Sequence, residues 1–176
     1  MARVPLPDAR ELAETLPELA AEMRLGSLNV VRAMGNNPEL LAAATSYVEG
    51  LYALLPATTR EVVILAVARE TDSEYEWHQH VRIARDEGVP GATIRAIGAG
   101  DHDALEADER ALVEFVRAQC RGEVMDETFA ALAEHLPTED VVVVSRLAAN
   151  YAGTADFIAA MDVPLEGDFV GWVPEG

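Results

Sequence analysis

Apolar residues return every three to four positions through most of this chain, and proline or glycine closes each such stretch. That is the spacing of amphipathic helices punctuated by turns. A first helix is expected from about Asp8 to Arg24, with Pro17 as a kink or break. A short segment, Ser27–Met34, follows it. Asn36-Asn37-Pro38 then opens a helix reaching Leu54, since proline suits a first helical turn. Between Thr59 and Thr71 the residues Val62–Ala68 form an unbroken apolar run. A run that short also fits a buried strand, but capping residues precede it and Arg69-Glu70 continue it, so a helix is preferred. A helix apolar on every side is buried on every side, which makes this segment the expected central helix. Further helices are expected at about Glu74–Glu87, Gly91–Ile97, Glu106–Arg121, Asp126–His135 and Glu139–Met161. In the last, Val141–Val144 favours strand by propensity. Leu147, Tyr151, Thr154, Ile158 and Met161 nevertheless keep helical spacing. The reading is all-α over one domain, 1–176, with a central antiparallel helix pair joined at Asp72-Ser73 and an irregular tail over 163–176. Phe169 and Trp172 in that tail are placed to pack on another surface.

Composition narrows the function classes. The chain has 176 residues, half of them hydrophobic, which suffices for a buried core. Its net charge of −18 argues against nucleic acid and against anionic membrane surfaces, both of which need clustered Arg or Lys. The same field repels anionic substrates unless a local arginine reverses it. No apolar run approaches the ~20 residues that span a bilayer, and no secretory signal is evident, so a cytoplasmic location is the expectation. The single cysteine, Cys120, has no partner for an internal disulfide or a dithiol cycle.

Candidate chemistry concentrates in Arg60-Glu61 and in Ser73-Glu-Tyr-Glu-Trp-His-Gln-His80-Val-Arg82. Glu76 and His80 lie four apart and share one helix face. Glu61 belongs to the preceding helix. If it reaches His80, an imidazole and carboxylates share one pocket suited to proton transfer. Each residue also has a plainer role. Thr58-x-x-Glu61 and Ser73-x-x-Glu76 both fit capping boxes, and a carboxylate at a helix N-terminus is held charged. His80 fits a hydrogen-bonded core histidine. Tyr75 and Trp77 fit core or pocket wall, and His78 fits solvent or a subunit contact. Glu74 and His78 are four apart, but with no His-x-x-x-His pair and no clear third ligand, no metal is expected.

Arg60-Glu-x-x-Ile-Leu, Glu76-x-x-x-His80 and Arg82-x-Ala-x-x-x-Gly-Val together resemble the carboxymuconolactone decarboxylase superfamily, which includes alkyl hydroperoxidase D-like proteins. The similarity is strongest over 56–98. It extends more weakly from Asn37-Pro-Glu-Leu40 to Asn150-Tyr151 and Val163-Pro-Leu. The hydroperoxidase branch carries Cys-x-x-Cys where this chain has Ser73 and Glu76, neither of which forms a thiolate. The decarboxylase branch is the nearer pattern. That resemblance implies a compact helical fold and a homo-oligomer (dimer, trimer or hexamer). It also implies cofactor-independent lyase or isomerase chemistry on a small carboxylated lactone or related organic acid. Glu61, Glu76 and His80 would be catalytic. Tyr75, Trp77 and Arg82 would bind substrate, with Arg60 a second choice to hold a carboxylate. The alternative is a non-catalytic oligomeric binding protein on the same scaffold.

Overall fold

In a computed structural model, residues 2–15 and 28–175 are described, and every regular element among them is helical. The helices are α1 (Ala9–Thr15), α2 (Asn29–Met34), α3 (Pro38–Tyr52), α4 (Ala57–Glu70), α5 (Glu74–Asp86), α6 (Gly91–Ala99), α7 (Ala107–Arg121), α8 (Asp126–Ala133) and α9 (Thr138–Met161). A 3-10 turn, His102–Ala104, precedes α7. The expected first helix is seen to Thr15; Pro17 and the stretch to Arg24 lie outside the described residues. Val141–Val144 is helical, so register with Leu147 and Ile158 outweighs local strand propensity.

The chain forms two compact units. The first comprises Met1–Gly50 and Asp156–Asp168. Its small core joins Val31 and Leu41 with Leu28, Val30 and Met34. Side chains tie its extended segments down. Arg32 Nε donates to the Pro7 carbonyl at 2.8 Å, Asn36 to that of Pro5 at 2.7 Å, and Asn29 to that of Pro164 at 3.0 Å.

The second unit comprises Leu51–Ala155 and Phe169–Gly176, and it holds the main core. At its centre is α4, whose residues Glu61–Ala68 are all buried. The all-apolar run therefore becomes a helix enclosed on every side, packed chiefly on α5 and α7. Three residues connect α4 to α5. Asp72 turns the chain with φ of 49°, a left-handed conformation that Asp tolerates better than most residues. The Ser73 N–H then reaches back to the Ala68 carbonyl at 2.8 Å, which closes the end of α4. This short turn brings the start of α5 against α4.

The tail closes over Trp77. Its indole N–H donates to the Gly171 carbonyl at 2.9 Å, and its ring lies 5.4 Å from that of Trp172. Phe169 and Arg69 flank Trp172 in turn. Phe169 and Trp172 thus pack on their own core, where the tail meets α4, α5 and α6.

Candidate functional site

Glu61 has no exposed surface, although it carries a carboxyl group. A buried charge persists only where it is paired and hydrogen-bonded. Here Arg60 Nε donates to one oxygen at 2.9 Å, and His80 Nδ1 lies 2.7 Å from the other. A carboxylate only accepts, so the ring proton sits on Nδ1 and leaves Nε2 to meet a ligand. The His80 side chain is 12% exposed, enclosed but reachable. Helix α4 starts at Ala57 behind Pro56, which offers no side-chain cap. Glu61 therefore lies beyond the first turn, and its carboxylate serves Arg60 and His80 rather than a capping box.

Glu76 stands one turn before His80 on α5. Ser73 does cap this helix, its hydroxyl accepting from the Glu76 N–H at 3.5 Å. The return half of a capping box is missing. Both Glu76 carboxyl oxygens are buried without a hydrogen-bond partner among the described residues. Burial pushes this carboxyl well above the usual carboxylate range. The expectation that the helix N-terminus favours the charged form is thus corrected in direction: desolvation of Glu76 acts against its charge.

Two tyrosines complete the cluster. Tyr52, the last residue of α3, and Tyr151 in α9 hydrogen-bond through their hydroxyls. The Tyr151 ring meets His80 edge-on at 5.2 Å, and the Arg60 guanidinium lies over the Tyr52 ring at 4.3 Å. Burial, first among the causes, pushes Tyr52 up to about 12 and Tyr151 upward as well. Neither was singled out for chemistry from sequence. The signal available was Tyr151's position in the helical stripe of α9, within the weaker part of the family resemblance.

Other expected residues lie elsewhere. Arg82 is exposed on α5, 3.4 Å from Asp86 and away from the Glu61–His80 pair. Arg60 is the arginine beside the site. Tyr75 and Trp77 are core residues, and the Trp77 N–H is already committed to the tail. His78 is half-buried, its Nδ1 without a hydrogen-bond partner among the described residues. The Cys120 thiol is pushed up to about 11, by burial first and then by the charges of Glu70 and Glu76, so it is a poor nucleophile at neutral pH. Among the described residues no three His, Cys, Asp or Glu side chains converge as a metal cluster. No helix of the described residues is long and apolar enough to cross a membrane.

Two cavities open away from this cluster. One of about 190 Å³ is bounded by Thr59, Val62, Asp108 and His135. The other, about 240 Å³, is lined by Arg69, Glu70, His102, Arg117 and Arg121, with Glu70 held by Arg117 and Arg121. Neither contains the Glu61–His80 pair. Chemistry rather than cavity size selects the candidate site.

Residues 38–118 match the model of the carboxymuconolactone decarboxylase family, a span that contains Glu61, Glu76 and His80. The match takes in the central part of the chain, a little under half of its length. No curated protein matches this chain. Among solved structures it resembles the debrominase Bmp8, seen in complex with 2,3,4-tribromopyrrole. The TM-score is 0.75 and the identity 21%, over 94% of this chain and 91% of that one. It also resembles the alkylhydroperoxidase AhpD core of an uncharacterized peroxidase-related protein from Ralstonia eutropha JMP134. There the TM-score is 0.77 and the identity 19%, over 99% and 98% of the two chains. At these identities the likeness is one of fold, and the fold is the AhpD-like helical core.

Proposed function

We propose that this protein is a cofactor-independent enzyme that moves protons on a small carboxylated lactone or related organic acid, as a lyase or isomerase. The observation that supports it most is the fully buried Glu61 carboxylate, 2.7 Å from His80 Nδ1, with the buried Glu76 one turn away. In the lyase direction the bond to the carboxylate carbon breaks and CO₂ leaves. Its electron pair passes into the lactone carbonyl as an enolate, and protonated His80 delivers a proton from Nε2 to carbon. In the isomerase direction neutral His80 takes a proton from one carbon and returns it to another. Glu61 fixes the ring and stabilises the imidazolium, while Arg60 fixes Glu61. This role of a carboxylate behind a histidine is general in acid–base catalysis. Glu76, protonated, can donate to a ligand oxygen. Arg60, beside the pair, is the cation available to a substrate carboxylate. The family resemblance favours a homo-oligomer as the working form.

The test follows α-proton exchange of small lactones in deuterium oxide by proton NMR, together with CO₂ release from carboxylated lactones. His80→Asn and Glu61→Gln should each cut turnover by about 10²–10⁴-fold, the usual range for general acid–base groups, while lactone binding changes little. Wild-type protein that neither exchanges nor decarboxylates any such lactone, or His80→Asn that matches it, overturns the proposal. Retained binding without turnover would then leave a binding protein on the same scaffold.

A further inference from the structure

Tyr52 and Tyr151 hold hydrogen-bonding capacity that the mechanism above does not use. Their hydroxyls are bonded to each other, although the residues are far apart in sequence. Two phenols own two O–H protons, and one bond between them occupies a single proton. The second O–H has no acceptor among the described residues. Beside this pair stands His80, its ring edge-on to Tyr151. Glu76 lies close enough that its charge would act on both phenols, and its own two oxygens are unpartnered while only 2% of the residue is exposed. Buried polar groups are ordinarily matched. Here a phenol proton and a whole carboxyl group remain unmatched around one imidazole, which points to a ligand that supplies the missing partner.

We propose that the Tyr52–Tyr151 hydroxyl pair receives the carbonyl oxygen of the substrate and stabilises the oxyanion that develops on it. The ligand class is a small enolisable carbonyl compound held through that one oxygen. This assignment rests on the proton-transfer reading above and adds the group that accepts the displaced charge. When His80 Nε2 takes the α-proton, the C–H electron pair forms a C=C bond and the carbonyl π pair moves to oxygen. The free phenol O–H then donates to that oxygen, and the hydroxyl behind it polarises the donor further. No proton leaves either tyrosine, so both hydroxyls are unchanged at the end of the cycle. Burial keeps both phenols protonated at neutral pH, as donors must be. Arg60 against the Tyr52 ring and His80 against the Tyr151 ring fix the two phenols before substrate arrives.

The experiment pairs lactone exchange with binding of p-nitrophenolate, an oxyanion whose absorption band moves when it accepts a strong hydrogen bond. Wild-type protein should shift the band. Tyr52→Phe and Tyr151→Phe should each weaken p-nitrophenolate binding at least tenfold. Each should also lower kcat for exchange by about 10²–10³-fold, the effect of losing one oxyanion donor, with KM little changed and helical dichroism intact. An unmoved band in wild-type protein overturns the proposal, as do phenylalanine variants that keep both exchange and probe binding. If either variant fails to fold, the wild-type band and the other variant decide. Loss of exchange in His80→Asn with full exchange in both phenylalanine variants removes the hydroxyl pair and leaves the proposed function standing. Probe binding through the pair, with no lactone exchanged by wild-type protein, does the reverse.

Discussion

The carboxylate of Glu61 is enclosed between a guanidinium and an imidazole, and each of the three depends on the others. Replacing it by alanine leaves Arg60 and His80 without their shared acceptor. Breaking a buried ion pair from one side costs about 3–5 kcal/mol. Glu61→Ala should therefore lower unfolding stability by that order in urea titrations, and Glu61→Gln by less. Glu76 has the opposite character, because burial raises its proton affinity in the folded chain. Between the ordinary glutamate value of 4.5 and the raised folded value, the unfolded chain releases a proton that the folded chain keeps. Stability is therefore greatest below the unfolded value and falls as pH rises, by about 1.4 kcal/mol per pH unit. Glu76→Gln carries no such proton, so its stability relative to wild type should grow with pH above 5 in parallel urea titrations. A constant difference would show that Glu76 is ionised in the folded state. At this scale the sequence pattern located Glu61, Glu76 and His80, because two of them share one helical face and the third matches a motif. It favoured Arg82 over Arg60 for the substrate. The placement of Arg82 on the exposed side of α5 depends on how that helix rotates against α4, which no local spacing encodes. Tyr52 and Tyr151 were missed for a related reason: their contact joins distant segments, and neither side chain announces chemistry by itself.

The central helix is held by burial rather than by capping. Helix α4 has no side-chain N-cap, yet its residues Val63–Val67 are at most 1% exposed. Packing on all sides supplies the stability that a cap would otherwise provide. This is why its apolar run was legible as a central helix, and why element ends were read less closely than element identities. The expected helix to Leu54 ends at Tyr52, and the one to His135 ends at Ala133, since terminal turns are set by local hydrogen bonds. Helix α6 lies against the tail at Gly98, where backbone leaves no room for a side chain. A Cβ there would fall 1.7 Å from the Trp172 carbonyl oxygen and 2.8 Å from the Trp77 ring. Gly98→Ala must displace the tail. Overpacking of this kind costs about 1–3 kcal/mol, so thermal unfolding should begin earlier, and amide exchange in 169–175 should rise well before that in α4. Unchanged exchange in the tail would mean that α6 yields instead.

Across the whole molecule, 31 acidic side chains face 13 basic ones. Like charge at this density destabilises the compact state through self-repulsion, which salt screens. At pH 7 the melting temperature should rise with sodium chloride, and near the isoelectric point of about 4.4 the salt effect should largely vanish. The same screening should lower KM for carboxylated lactones more than for their methyl esters; equal responses would show that the local field at Arg60 dominates. Net charge and helical class were readable from composition and periodicity, because both are sums over many residues. The closure of the tail was not, because it hangs on one carbonyl, one indole N–H and one absent side chain. That closure has an optical consequence. Both tryptophans of the chain lie in it, their rings 5.4 Å apart and tilted by 53°. Two indole transitions that near and that oblique mix into an exciton pair of opposite rotational sign. The dichroism spectrum should therefore carry a couplet that exists only while the tail is seated, a gauge of docking that needs neither label nor substrate.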